Sequence, residues 1–200
     1  MLTGKAQEYY RQILVRFPHS YFAEDESKII IGIDPVFLDA SQMDFSEFKA
    51  RFYEKSAKKS LCEYAGYFGV FAADFISLFE NVGVCEKKSY EFPLFLFADA
   101  RAYLIYEKHS KMYHCFGKDK YFEFLDDNSL NSAQNSAKNA SKFEFKIISD
   151  TQKEQQSFET MIKKAKEYLL SGDIFQVVLS RQLCIETKVD SFSFYEELSA

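Results

Sequence analysis

Apolar spacing is clearest late in the chain. Phe158, Met161, Ile162, Ala165 and Leu169 fall at i, i+3, i+4, i+7 and i+11, so they share one helical face, with Lys163, Lys164, Lys166 and Glu167 opposite. Ser171-Gly172 stops that helix, because glycine takes the left-handed conformation that satisfies the last carbonyls. The next residues, Ile174 to Ser180, are rich in β-branched and aromatic side chains and predict a strand. On it Phe175, Val177 and Leu179 would line one face, with Ile174, Gln176, Val178 and Ser180 on the other.

Earlier, Tyr9, Ile13 and Phe17 form the stripe of an amphipathic helix over residues 5–16 that ends before Pro18. Residues 20–23 and 28–33 read as short strands around the polar turn Glu24-Asp25-Glu26-Ser27. Phe45, Phe48 and Phe52 predict a second helix over 44–59, capped by Asp44 or Ser46, with its lysine-rich end a solvated face. Small residues interleaved with aromatics over 64–80 suggest a strand that another backbone approaches closely. Residues 95–99 and 102–107 are strands, and 108–111 turn the chain into a hairpin partner at 112–116. A short strand over 143–148 leads into the late helix, 182–187 continues or pairs the strand after it, and Asp190 or Ser191 caps a last helix to Leu198.

Composition sharpens this picture. The chain is 47% hydrophobic, and 22 Phe and 13 Tyr would supply much of its buried area. A net charge of −5 leaves no basic footprint, so no nucleic-acid partner is expected. Cys62, Cys85, Cys115 and Cys184 are scattered without a metal-binding pair and read as reduced thiols. No leader-like N-terminus and no long apolar run appear, so a cytoplasmic protein with no membrane partner is expected. One stretch breaks the composition. Residues 126–142 are Asp, Asn, Ser, Ala, Gln and Lys with one large aliphatic side chain, Leu130, and cannot repay the entropy of ordering. The expected organisation is an N-terminal region over 1–125, a mobile low-complexity loop over 126–142, and a third region over 143–200.

The run Gly172-Asp173-Ile174-Phe175-Gln176-Val177-Val178-Leu179-Ser180, following Lys166-Glu167-Tyr168, resembles the opening of the chorismate-binding region of anthranilate synthase component I. Ile30-Ile31-Gly32-Ile33 and Gly66-Tyr67-Phe68-Gly69, with Asp74 and Phe79-Glu80, are similar to earlier segments of that family, although Ala73 and Ser77 stand where it has Tyr and Arg. The resemblance implies an α+β fold, a layered α/β sandwich, of which this chain carries the front part. It implies conversion of chorismate and ammonia to anthranilate and pyruvate, a glutamine amidotransferase component II as partner, and Mg²⁺ held by glutamates absent from this stretch. An N-terminal fragment inactive alone is therefore expected. Aminodeoxychorismate synthase, or a non-catalytic remnant that binds a partner subunit, are the alternatives.

Gln176 lies where water-using relatives have a lysine, and a neutral amide cannot activate water as a base. It is the candidate catalytic residue, and no metal ligand is expected in the chain. Glu24, Asp25 and Ser27 fall near the family's Glu-Ser segment, which helps hold tryptophan as an effector. Because 126–142 is expected to be mobile, limited trypsin digestion should cut first at Lys138 or Lys142; cleavage elsewhere while that stretch stays intact would contradict the compositional reading.

Overall fold

A computed structural model describes residues 2–82, 91–125 and 144–199. The chain divides into two compact units, Met1–Gln134 and Asn135–Ala200. The low-complexity stretch 126–142 lies outside the described residues.

The first unit is built on a four-stranded antiparallel sheet in the order β1-β2-β6-β7, from Tyr21–Glu24, Lys28–Ile33, Ala102–Glu107 and Met112–Phe116. Its register sorts side chains into two faces. Ile29, Ile31, Leu104, Tyr106 and Tyr113 share the face covered by helix α1, Ala6–Arg16. There Tyr9 meets Tyr113 edge-on at 5.2 Å and Tyr10 lies 5.3 Å from Phe22. Tyr9 and Ile13 are wholly buried, as the sequence spacing predicts for that stripe. Phe17 follows as the C-cap residue, and its N–H closes on the Ile13 carbonyl.

The opposite face carries the cross-strand row Tyr21, Gly32, Tyr103 and Phe116, and beside it Ala23, Ile30, Ile105 and His114. Gly32 makes that row possible, because a Cβ there would sit 2.2 Å from the ring of Tyr21.

A second antiparallel sheet, β3-β5-β4, is formed by Val36–Asp39, Phe95–Asp99 and Tyr67–Phe71. Helix α2, Phe45–Ser56, starts at Asp44, whose carboxylate accepts the Glu47 N–H at 2.8 Å. Its Phe48 is buried with Leu38, Met43 and Phe95. Lys55 is not a solvated residue of the lysine run, because its ammonium pairs with Asp99 of β5. The strand expected over 64–80 is shorter than that: it ends at Phe71, and Ala73–Leu78 form a 3-10 helix that packs Phe75 onto Phe71 at 4.3 Å.

The two sheets join at one corner. Asp34, in the left-handed region at φ 51°, leads β2 into β3 through Pro35, and Ala100-Arg101 lead β5 into β6. The Arg101 N–H bonds the Ile33 carbonyl at 3.0 Å, and Arg101 and Tyr121 both reach the Asp34 carboxylate at 3.2 Å.

The second unit holds helix α3, Thr151–Ser171, capped by the Asp150 carboxylate, and helix α4, Ser191–Leu198, capped by Asp190. Between them β8 (Phe145–Ile147) and β9 (Ile185–Thr187) pair antiparallel. The strand predicted over 174–180 does not form as part of a sheet. Those residues are irregular chain without ladder bonds, since β propensity alone makes no strand when no neighbouring strand among the described residues accepts its N–H groups.

Gly69 and Gly66 give a paired test of packing. A Cβ on Gly69 would lie 2.1 Å from the Leu96 carbonyl oxygen, whereas one on Gly66 would meet open space. Gly69→Ala should cost about 1–3 kcal/mol, as overpacking does. Gly66→Ala should be neutral or gain up to about 1 kcal/mol by restricting the unfolded chain. Urea unfolding of the two variants measures both; equal midpoints would contradict the close approach at Gly69.

Candidate functional site

The expected effector residues Glu24, Asp25 and Ser27 come together in the β1–β2 turn. Asp25 Oδ1 accepts the Ser27 N–H at 2.6 Å, the Ser27 hydroxyl at 2.7 Å and the Lys28 N–H at 2.9 Å. The Ser27 hydroxyl, followed by the two backbone N–H groups, holds the Asp25 carboxyl below its ordinary pKa. Lys108, from the turn after β6, donates to the Asp25 carbonyl at 2.6 Å and pairs with Glu24 at 2.6 Å. Lys108 was not singled out by the sequence pattern; the one available signal is its position directly after β6, whose register sets it beside this turn.

Next to the turn, Lys28 reaches the Tyr64 hydroxyl at 3.2 Å, and its ammonium lies 4.3 Å from the centre of that ring. The contact with Tyr64 raises the Lys28 pKa. Farther along the same face, Tyr21 stacks on Phe68 at 4.6 Å, and burial pushes the Tyr21 and Tyr103 hydroxyls up. These phenols stay protonated and serve as hydrogen-bonding groups, not bases.

Gln176 lies in the second unit, between two anchored ends. At the upstream end Gly172 takes φ 82°, its N–H bonds the Leu169 carbonyl, and the Asp173 N–H closes on the Tyr168 carbonyl at 3.0 Å. Downstream, the Cys184 N–H bonds the Ser149 hydroxyl at 2.6 Å and its carbonyl accepts the Ile148 N–H. Gln176 itself is exposed, as are its neighbours Phe175 and Val177. The expected alternation into one buried and one polar face is absent here, because no layer covers either side of this irregular segment among the described residues. Phe175 is 99% exposed and Val178 85%.

Among the described residues no three His, Cys, Asp or Glu side chains converge into a cation site. The described residues therefore offer no site that fits the Mg²⁺ implied by the family resemblance. No helix among the described residues is long and apolar enough to cross a membrane.

The turn makes a pH prediction. A carboxyl depressed on folding contributes stability above its unfolded pKa and loses it as pH falls through the folded one. The Asp25 carboxyl should titrate below its ordinary 3.8, and Ser27→Ala should move it back up; an unchanged carboxyl titration by NMR in that variant would refute the hydroxyl as the main cause.

Comparison with known proteins places this geometry in context. Over 60 residues the chain is 45% identical to anthranilate synthase component 1 of Acetivibrio thermocellus, a stretch covering 30% of this chain and 12% of that protein. Over 43 residues it is 42% identical to anthranilate synthase component 1 of Thermococcus kodakarensis, covering 22% and 10% respectively. The crystal structure of anthranilate synthase component I from Streptococcus pneumoniae TIGR4 shares the fold, with a TM-score of 0.59 at 23% identity over 90% of this chain. The chain spans 47% of that solved chain. The mixed helix and sheet architecture expected from the sequence is thus the component I fold. A family model for chorismate binding enzymes matches residues 6–200, and the chain belongs to that family.

Proposed function

We propose that this chain is the front part of an anthranilate synthase large component. In this reading the complete enzyme adds ammonia to chorismate and releases pyruvate and water to leave anthranilate, with ammonia delivered by a glutamine amidotransferase partner. The observation that supports it best is that relatives matched at 42% and 45% identity both carry the name anthranilate synthase component 1. Mg²⁺ and the groups that bind it belong to the remainder of the component I fold, and so does the bulk of the chorismate site.

The exposed apolar residues of the second unit fit this reading. Leu170, Phe175 and Val178 are each at least 85% exposed and would be covered by further layers of the same fold. Gln176, on the irregular segment after α3, would then face chorismate with a neutral amide. Such a group orients a substrate by hydrogen bonds but leaves water unactivated, so ammonia, already nucleophilic, is the productive attacker. Product formation in the first step of tryptophan synthesis makes the cytoplasm the working compartment and tryptophan the natural effector, acting near Glu24, Asp25 and Ser27.

The test joins this chain to the matching second half of a component I relative. Alone, with chorismate, Mg²⁺ and ammonium, the chain should give no anthranilate fluorescence; joined, it should. Aminodeoxychorismate as product of the joined protein would reassign the chain to the folate branch, and no product from a well-folded joined protein would favour a non-catalytic role. In the active form, Gln176→Lys should lower anthranilate formation by admitting water as a competitor. Wild-type activity at equal folded fraction, judged by circular dichroism, would remove Gln176 from the site.

A further inference from the structure

Residues 62–66 link helix α2 to β4 and cross the face of the four-stranded sheet that α1 does not cover. Cys62, Tyr64 and Ala65 pack there against Ala100, Tyr103 and Ile105. The segment closes on itself through the Ala65 N–H to the Cys62 carbonyl at 3.1 Å. Its backbone is tied to the sheet at Gly66, where the Tyr103 hydroxyl accepts the N–H at 3.2 Å and donates to the carbonyl at 3.3 Å. Its other fastening is the Tyr64 hydroxyl on Lys28. Upstream, residues 58–61 are exposed. Downstream, a Cβ on Gly66 would meet open space.

A segment with an exposed lead-in, an internal turn and side-chain fastenings in place of ladder bonds has the features of a local opening unit. We infer that residues 62–66 form a strap that lifts from the sheet as one body, latched by the hydroxyls of Tyr64 and Tyr103. Lifting uncovers Tyr103, Ile105 and the thiol of Cys62 while α1 continues to hold the opposite face. Because the strap runs directly into β4, where Tyr21 stacks on Phe68, its position also sets how firmly the two sheets are joined at that end.

Cys62 reports the motion. With Cys85, Cys115 and Cys184 replaced by serine, the full chain is treated with an aromatic disulfide reagent and the labelling rate of Cys62 is followed in low urea. Tyr64→Phe and Tyr103→Phe should each accelerate labelling by roughly two- to tenfold, the factor expected for one lost hydrogen bond. Labelling should depend on urea far less steeply than global unfolding does, because a strap exposes little surface. Rates unchanged in both variants, or a urea dependence equal to that of global unfolding, would overturn the strap. Should Tyr103→Phe fail to fold, Tyr64→Phe together with hydrogen exchange at the Gly66 N–H gives the same decision: exchange must speed up with labelling, and protection unaltered by Tyr64→Phe would overturn the latch.

Discussion

The pairing of β2 with β6 is the constraint on which the first unit depends. These two central strands join residues distant in sequence, and Ile31, Ile33, Tyr103, Leu104 and Ile105 are all buried between α1 on one side and the strap on the other. A slip of one residue would exchange the two faces, sending Tyr103 towards α1 and Leu104 towards the strap. Gly32 fixes the neighbouring β1–β2 register in turn, because it offers room for the Tyr21 ring only in the observed pairing. The hairpin to β7 and the turn to β1 then extend a ladder whose register the central pair has set.

The second unit is held differently. Its long helix is closed at both ends by local hydrogen bonds, through Asp150 at the start and Gly172 at the end, and such bonds need no core. Ala165 and Phe192 are the buried apolar residues among those described in this unit. The resulting contrast explains why the motif most telling in the sequence is the least enclosed in the structure. Motif identity resides in side chains poised for chemistry, whereas enclosure comes from neighbouring layers.

The sequence made the helices legible because capping and 3.6-residue spacing are local properties. Asp44 and Asp190 cap as expected, and Gly172 terminates α3 as its lack of a Cβ allows. Most strands were legible too. Val36–Asp39 was not, since four residues following Pro35 show too little alternation to stand out. The Asp173 to Ser180 stretch failed for the reverse reason: its local preference is strong, but a strand is a property of a pair. Among the candidate site residues, the chain position of Glu24, Asp25 and Ser27 in one turn could be read directly. The bonds from Lys108, Lys28 with Tyr64, and Tyr103 with Gly66 could not, because each spans residues far apart and carries no periodic signature.

The corner at Asp34 and Arg101 carries a mechanical consequence. Both polypeptide crossings between the sheets pass through it, and a backbone bond and a carboxylate–guanidinium contact fasten them to each other. Beside that corner the sheets also touch through side chains: Tyr21 stacks on Phe68, and Tyr103 bonds Gly66, which leads into β4. Sliding one sheet across the other would strain two covalent crossings together and break the stacking and hydroxyl bonds beside them. The first unit is thus built like a book, with its spine at Asp34 and Arg101 and the aromatic row bound alongside that spine.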